Sequence, residues 1–521
     1  MNFFKLNFKI LNLIILISFS FLVNLYYSSI GSFPIDTFLH YDSSARILKG
    51  ELPIRDFWIV SGIVIDFIQF LFFKIFGVNW YAYVIHSSVF NCIISLLIYF
   101  YFLSINLDRS TSLLCACCFS TLAYTVSGTP FVDHHAIFFA LISNILIIRA
   151  INLKKNYLWF FAILFFFLSF LTKQVPASYI ILTQAFLLGV FILKEKKFDQ
   201  LKYIFLSSVI LVLLLLIFLF FLNIQFKDFF IQYIVYPLSI GSGRINNLNL
   251  NLNTFFNNYK FILLPLFLTL MLKVYRYRYQ KLNFLNKDFY VFLLISFFVF
   301  SSIFHQVMTK NQIYIYFFVP IFCGIFLSEL KITNYKYKNL FTIISIIFLI
   351  LVTLKYHVRY NENRKFHELE KANLAEASEA KKIDKSLQGL KWMNPLYENS
   401  PDEEILKIKK GKKILENIND EIMVITHYLF LDSITKKNLN YPARTFTSDG
   451  ISLPVKGSKY FKKYQNFLLG KIKKKNIKKI YFFKHEGIYQ TVLTDYLSPT
   501  CFNLSEDEIF NIVELKCFEL S

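Results

Sequence analysis

Four stretches carry side chains whose types and spacing could do chemistry. The first, FPIDTFLHYDSSARILKGELPIRDFW, runs from Phe33 to Trp58 and holds Asp36, Asp42 and Asp56. A carboxylate near a membrane but open to water can serve as general base toward a hydroxyl or amine acceptor. Asp36 follows the first apolar run by only a few residues, which makes it the first choice. Asp42 and Asp56 are the alternatives. Asp42 lies six positions on, a spacing that does not share one helix face. Arg55 stands beside Asp56, so the cation can meet either an anionic ligand or its neighbour. Each acid taken singly also reads as an ordinary solvated loop residue.

The second stretch, TPFVDHHAIFF from Thr129, crowds Asp133, His134 and His135 between two apolar runs. An Asp/His group can bind a divalent cation (Mg, Mn or Zn) or orient a phosphate. Asp36, Asp133 and His134 are the ligand set such a cation would use. A polar helix start with Asp133 as N-terminal cap is equally good chemistry. The third stretch, FLSFLTKQVPASY, puts Lys173 at the end of an apolar run, where it either snorkels to headgroups or meets an anion. A phosphate-binding lysine is the preferred reading. The fourth, FHQVMTKNQIYIYFFVP, repeats the theme with His305 and Lys310.

These residues need elements to hold them. The 521-residue chain is 55% hydrophobic, with a mean hydropathy of +0.48. Apolar runs near 20 residues recur, the length that crosses a bilayer core of about 30 Å. Eleven spans are predicted, centred near residues 20, 90, 118, 142, 164, 184, 212, 264, 296, 320 and 346. The segment before Gly31 ends in Tyr26 and Tyr27 and lacks a small-residue cleavage pattern, so an uncleaved first span is expected. With the N-terminus inside, the clusters at Lys5/Lys9, Lys154/Lys155, Lys194/Lys196/Lys197, Lys273/Arg276/Arg278/Lys281 and Lys331/Lys336/Lys338 all fall on the cytoplasmic side. The same arrangement puts loops 31–78, 127–134, 224–256 and 304–312 and the whole tail outside. GIVIDFIQFLFFKIFG, from Gly62, is short for a span and reads as an interfacial helix.

Residues 1–357 hold 28 Lys+Arg against 12 Asp+Glu, and residues 358–521 hold 28 against 22. The basic excess fits juxtamembrane loops before nucleic acid, and an AT-rich genome would also enrich Lys, Asn, Ile and Phe. Seven of the 12 acids in the first part fall in the outer loops: Asp36, Asp42, Glu51, Asp56, Asp66, Asp133 and Asp228. They concentrate on one face. The chain thus divides into a transmembrane part, 1–357, and a polar domain, 358–521. In the latter, HELEKANLAEASEAKKIDKSLQG reads as a polar helix. EIMVITHY, IKKIYFFK and FNIVELKCFEL read as strands of a small α/β domain. It has no Gly-rich phosphate loop. Cys501 and Cys517 can pair if this domain is extracytoplasmic.

Asp36, Tyr41, Ala45-Arg46, Gly50 and LPIRDFW, followed by Asp133 and the L-T-K of Lys173, resemble the integral-membrane glycosyltransferases of the GT-C superfamily. The branch is that of the aminoarabinose transferases and protein O-mannosyltransferases. The likeness covers roughly residues 20–180 with recognisable motifs. Three departures stand out: Asp36-Thr37 replaces an Asp-Glu pair, Gly62-Ile63 replaces Gly-Pro, and Gln174 stands where Gly is commoner.

The resemblance implies an α-helical polytopic fold of about eleven membrane helices with an extracytoplasmic C-terminal domain. It implies an enzyme of the bacterial inner membrane that moves a sugar from a polyprenyl-phosphate donor to a lipid, glycan or protein acceptor, with inversion. Asp36, Asp42 or Asp56 would be the base, and Lys173, with Arg55 and Lys310, would hold phosphate. Asp133, His134 and His135 would position donor or metal. Two other classes stay open. A flippase for lipid-linked saccharides would want ionisable groups or broken helices at mid-membrane. A non-catalytic envelope scaffold would act through its tail.

Overall fold

The computed structural model describes residues 2–125, 127–246, 251–278, 286–309, 315–447, 449–486, 488 and 491–517. In chain order, α1 (Asn2–Tyr27) leads to three short helices, α2 (Pro34–Thr37), α3 (Leu39–Leu48) and α4 (Ile63–Phe76). Then come α5 (Trp80–Ser104), α6 (Arg109–Ala123), α7 (Val132–Leu153), α8 (Tyr157–Thr172), α9 (Gln174–Glu195) and α10 (Asp199–Phe221). After α11 (Phe226–Phe229) come a π-helical turn, α12 (Tyr236–Asn246), α13 (Leu252–Tyr277), α14 (Lys287–Thr309), α15 (Phe318–Thr333) and α16 (Lys338–His357). The remainder holds α17 (Pro401–Asn417), α18 (Leu431–Ile434), α19 (Phe461–Lys475), α20 (Thr491–Thr494) and six strands.

Helices occupy all eleven places where the hydropathy pattern predicts them. Among the described residues, nine are long and apolar enough to cross a membrane. The other two are α8, apolar but only 16 residues long, and α6, with 15. The chain therefore has the character of a multi-pass, mainly helical membrane protein. The predicted interfacial segment forms α4, a 14-residue helix.

Two compact units are present. The first comprises Met1–Ser28, Val84–Leu214 and Asn247–Phe366. Its centre is α7, whose side chains are buried almost throughout and which packs on α8, α9 and α14. Small polar residues join these helices. Asn24 Nδ2 donates to Ser87 Oγ at 3.0 Å and to the Gly128 carbonyl at 3.1 Å. Asn91 Nδ2 reaches the carbonyls of Ser20 and Ser120, and Ser169 Oγ that of Ala136. In hydrocarbon such bonds contribute about 0.6–2 kcal/mol each. By contrast α10 exposes Phe205, Leu206, Leu213 and Phe220. A helix apolar on every face suits lipid.

The second unit comprises Ser29–Tyr83, Leu215–Asn246 and His367–Ser521. So the loop after α1 folds with the polar tail. Its sheet has the order β3 (Ile422–Ile425), β4 (Lys479–Phe483), β6 (Phe510–Leu515), β5 (Phe502–Glu506). The β3–β4 pair is parallel and the others are antiparallel. The three strand-like runs of the sequence form β3, β4 and β6. β5 escapes the sequence reading because its alternating face holds only Phe502 and Leu504, too short a pattern to stand out. Cys501 and Cys517 are disulfide-bonded.

The segment from His367 to Gly389 is not a helix, contrary to its helix-forming composition. It forms 3-10 turns and the strand β1 (Ser378–Glu379), which pairs with β2 (Lys391–Trp392). Asn373 and Asp384 accept from backbone amides two residues on, which restarts the chain as turns. No apolar stripe is present to hold a helix in register.

The loop before α7 depends on one glycine. Gly128 has φ +67°, and a Cβ there would lie 2.5 Å from the Ser28 nitrogen. Gly128→Ala is therefore expected to cost about 2 kcal/mol or more through left-handed strain and backbone overlap. A thermal-unfolding midpoint in detergent equal to that of the unmodified chain would show that the close approach is not required.

Candidate functional site

The sequence-selected residues separate into two clusters, one in each unit. In the first unit, Asp133 lies in the first turn of α7, but Phe131 is the N-cap and uses no side chain. Capping therefore does not explain Asp133. Its Oδ2 accepts from Lys173 Nζ at 2.7 Å and its Oδ1 lies 2.8 Å from His305 Nε2. Lys173 stands in the extended break between α8 and α9, and His305 lies near the end of α14 rather than in a loop. Three chain segments thus converge on one carboxylate. Asp133 and His305 are fully enclosed, whereas Lys173 is 21% exposed. An ammonium has three donors and Asp133 takes one.

Behind this group the rings of His134 and Tyr124 stack at 5.5 Å. His135 Nε2 lies 3.2 Å from His86 Nε2 of α5 and 3.3 Å from the Tyr124 hydroxyl. His86 and Tyr124 are not among the residues singled out by sequence. A histidine inside the apolar run WYAYVIHSSVF was the available signal, since ionisable residues in such runs usually serve a site.

Among the described residues, no three His, Cys, Asp or Glu side chains gather as a metal site. Of the set Asp36, Asp133 and His134, Asp133 has both oxygens engaged and His134 stacks on Tyr124. Lys310 lies outside the described residues.

In the second unit, α3 and the chain after it carry a buried charge network. Asp42 is fully buried, and burial pushes its carboxyl up to about 8 against the pull of Arg46. Among the described residues neither Asp42 oxygen has a hydrogen-bond partner; Arg46 Nη1 is 3.7 Å away. Arg46 is instead spent on Glu51 at 2.6 Å and on the Tyr441 carbonyl at 2.9 Å, with its guanidinium 3.9 Å from the centre of the Phe57 ring. Burial alone would raise the Glu51 carboxyl, but Arg46 and Lys471 outweigh it and bring it down to about 2. Lys471 donates to the carbonyls of Asp56 and Tyr441. Lys49 pairs with Asp432 at 2.7 Å.

A second buried group joins α3, α4 and the tail. His40 Nδ1 lies 2.7 Å from Asp66 Oδ1, and Arg444 contacts the other Asp66 oxygen and Ser43. Burial and the nearby Arg444 hold the His40 imidazole well below its usual range, and burial pushes the Asp66 carboxyl up to about 8 against the pull of Arg444. Arg444 and Lys471 have no local sequence signal; only the fold brings them to these acids.

The three candidate bases therefore differ. Asp42 is enclosed. Asp56 accepts from Arg55 at 2.6 Å and from the Leu52 amide at 2.8 Å. Arg55, in turn, donates to the carbonyls of Gly50 and Leu222. Asp36 is half-buried in the first turn of α2. No protein-family model matches the chain, and no curated protein matches it.

Two outcomes follow for the second unit. Arg444→Met leaves Asp66 without its cation and should cost about 3–5 kcal/mol, whereas the double change Arg444→Met/Asp66→Leu should recover much of the loss. Denaturant unfolding of both variants decides this, and equal stability of the single variant and the unmodified chain would refute the pair. Glu51 has a folded-state pKa below its ordinary 4.5. Its contribution is present above pH about 4.5 and lost as pH falls toward 2. The stability gap between Glu51→Gln and the unmodified chain should accordingly be widest above pH 4.5 and close on acidification. A gap independent of pH would sink the assignment.

Proposed function

We propose that the chain is a membrane glycosyltransferase that takes a sugar from a polyprenyl-phosphate donor at the extracytoplasmic face of the bacterial inner membrane. All eleven helices would cross, with the N-terminus in the cytoplasm. The observation that carries this reading is the convergence of Lys173, Asp133 and His305, from three separate segments, at one end of the first unit. A lysine oriented by a fixed carboxylate, with donors to spare and its head partly open, is preorganised to receive the charge of a phosphate leaving group. The motif likeness of residues 20–180 to the GT-C superfamily supports the same reading.

In the proposed reaction an acceptor hydroxyl or amine attacks the anomeric carbon. The bond from that carbon to the donor phosphate oxygen breaks, and the configuration inverts. The acceptor's proton passes to Asp36, and Lys173 stabilises the departing phosphate. Asp36 is favoured as base on its place just after α1 and on the motif likeness, while Asp42 is enclosed.

Purified protein in lipid nanodiscs, offered a panel of polyprenyl-phosphate sugars, provides the test. Asp36→Asn should lower turnover about 10²–10⁴-fold, the usual worth of a general base. Lys173→Met should raise the donor KM. Full turnover in Asp36→Asn would remove that residue as base. Passage of a lipid-linked saccharide across vesicles, without sugar transfer, would replace the enzyme reading with a transporter.

A further inference from the structure

The first unit contains a cation that the proposed chemistry does not use. Arg364 follows α16 and the π-helical turn Val358–Glu362. It is 2% exposed, and its Nε and Nη2 are enclosed with no hydrogen-bond partner among the described residues. A guanidinium stays charged at any pH a cell reaches. Burying it with N–H donors left unbonded is costly, so such a group in a native fold calls for a further partner.

The acid two residues earlier, Glu362, attracts the guanidinium but leaves its Nε and Nη2 unbonded. Glu362 accepts from the Tyr26 hydroxyl at 2.9 Å and lies 3.1 Å from His357 Nε2, while the other His357 nitrogen meets Tyr27 at 3.0 Å. These bonds hold the carboxylate at the junction of α1 and α16. The backbone at Arg364 is left-handed, with φ +46°. A long side chain adopts that conformation only where its surroundings hold it there.

The neighbours indicate the setting. Tyr26, half exposed, ends α1, and Tyr356 and Tyr360 flank the end of α16. Phe366 meets Phe131 edge-on at 5.4 Å, and Phe131 meets His134 at 5.7 Å. Tyrosines at the ends of apolar helices mark the headgroup level of a bilayer. A cation at that level faces phosphate before any other anion, and a guanidinium fork fits phosphate oxygens two at a time.

We propose that Arg364 forms an anion site for the phosphate of a lipid headgroup, beside the start of α7. The proposal does not rest on sugar transfer, because it concerns binding alone. Phosphate on a polyprenyl chain, on a glycerolipid or free in solution shares the chemistry.

The test is ligand-induced thermal stabilisation of the full chain in detergent. The probes are polyprenyl monophosphate, phosphatidylglycerol, inorganic phosphate and, as neutral control, polyprenol. Arg364→Met keeps the packing volume, and Lys381→Met, at an exposed lysine, matches the charge change. At least one phosphate-bearing probe should stabilise the unmodified chain and Lys381→Met alike. Its apparent Kd should rise about tenfold or more in Arg364→Met, with polyprenol without effect throughout. Which probe responds identifies the source of the phosphate. Should Arg364→Met fail to fold, Arg364→Lys keeps the charge but loses the fork, and an intermediate weakening is expected. No stabilisation by any phosphate probe, or an unchanged Kd in the Arg364 variants, would overturn the proposal.

Discussion

An ionised carboxylate cannot stay enclosed away from water unless cations and donors come to it. That constraint organises the first unit at the start of α7. Asp133 sits there with almost no exposure, and two chain segments answer it: the break between α8 and α9 with Lys173, and α14 with His305. The positions of three helix ends are thereby tied to one side chain. Gly128 is part of the same demand, because only a residue without Cβ lets the preceding loop lie against the end of α1. The Asn24 amide then fastens that loop to α5 through Gly128 and Ser87.

The second unit answers the same constraint with longer reach. A segment of about fifty residues between α1 and α5 would be a loop in a simple hairpin array. Here it is built into the tail. Trp58 exchanges backbone bonds with Pro442 and Arg444, and Lys391 does so with Ser29 and Gly31. Between these bridges lie the pairs of Arg46 with Glu51, Lys49 with Asp432 and Arg444 with Asp66. Arg46, Arg444 and Asp66 are enclosed and would be costly to bury unpaired, whereas Lys49 reaches Asp432 from a partly exposed position. The acids that look like a catalytic cluster in the sequence are thus largely consumed by structure.

What the sequence discloses follows the reach of its signals. The eleven helices were legible because each is a local apolar run, and α4 because its length falls short of a crossing. The strands β3, β4 and β6 were legible as apolar runs too. The segment His367–Gly389 misled because helix propensity is a weak prior that turn-forming Asn373 and Asp384 override. Of the site, Asp133, Lys173 and His305 could each be picked out as ionisable residues at the margins of apolar runs. Their convergence could not be read, since it joins positions far apart in the chain. Arg444 and Lys471 were not legible at all, because a basic residue in a polar tail is ordinary until the fold buries it.

Groups that hold the fold differ from groups with capacity left over. Glu51, Asp66 and Asp432 have partners enough to satisfy them, so their removal should register as lost stability. Lys173 keeps donors beyond the one Asp133 takes, and Arg364 keeps two enclosed nitrogens without a partner. Unused donors on a cation, at the end of apolar helices and beside aromatic residues, are the opposite of a structural ion pair. They are a cost that folding alone does not recover, and an anion bound from outside would recover it. By that criterion the proposed chemistry of the first unit would fall to its cations, with Asp133 placed to orient one of them.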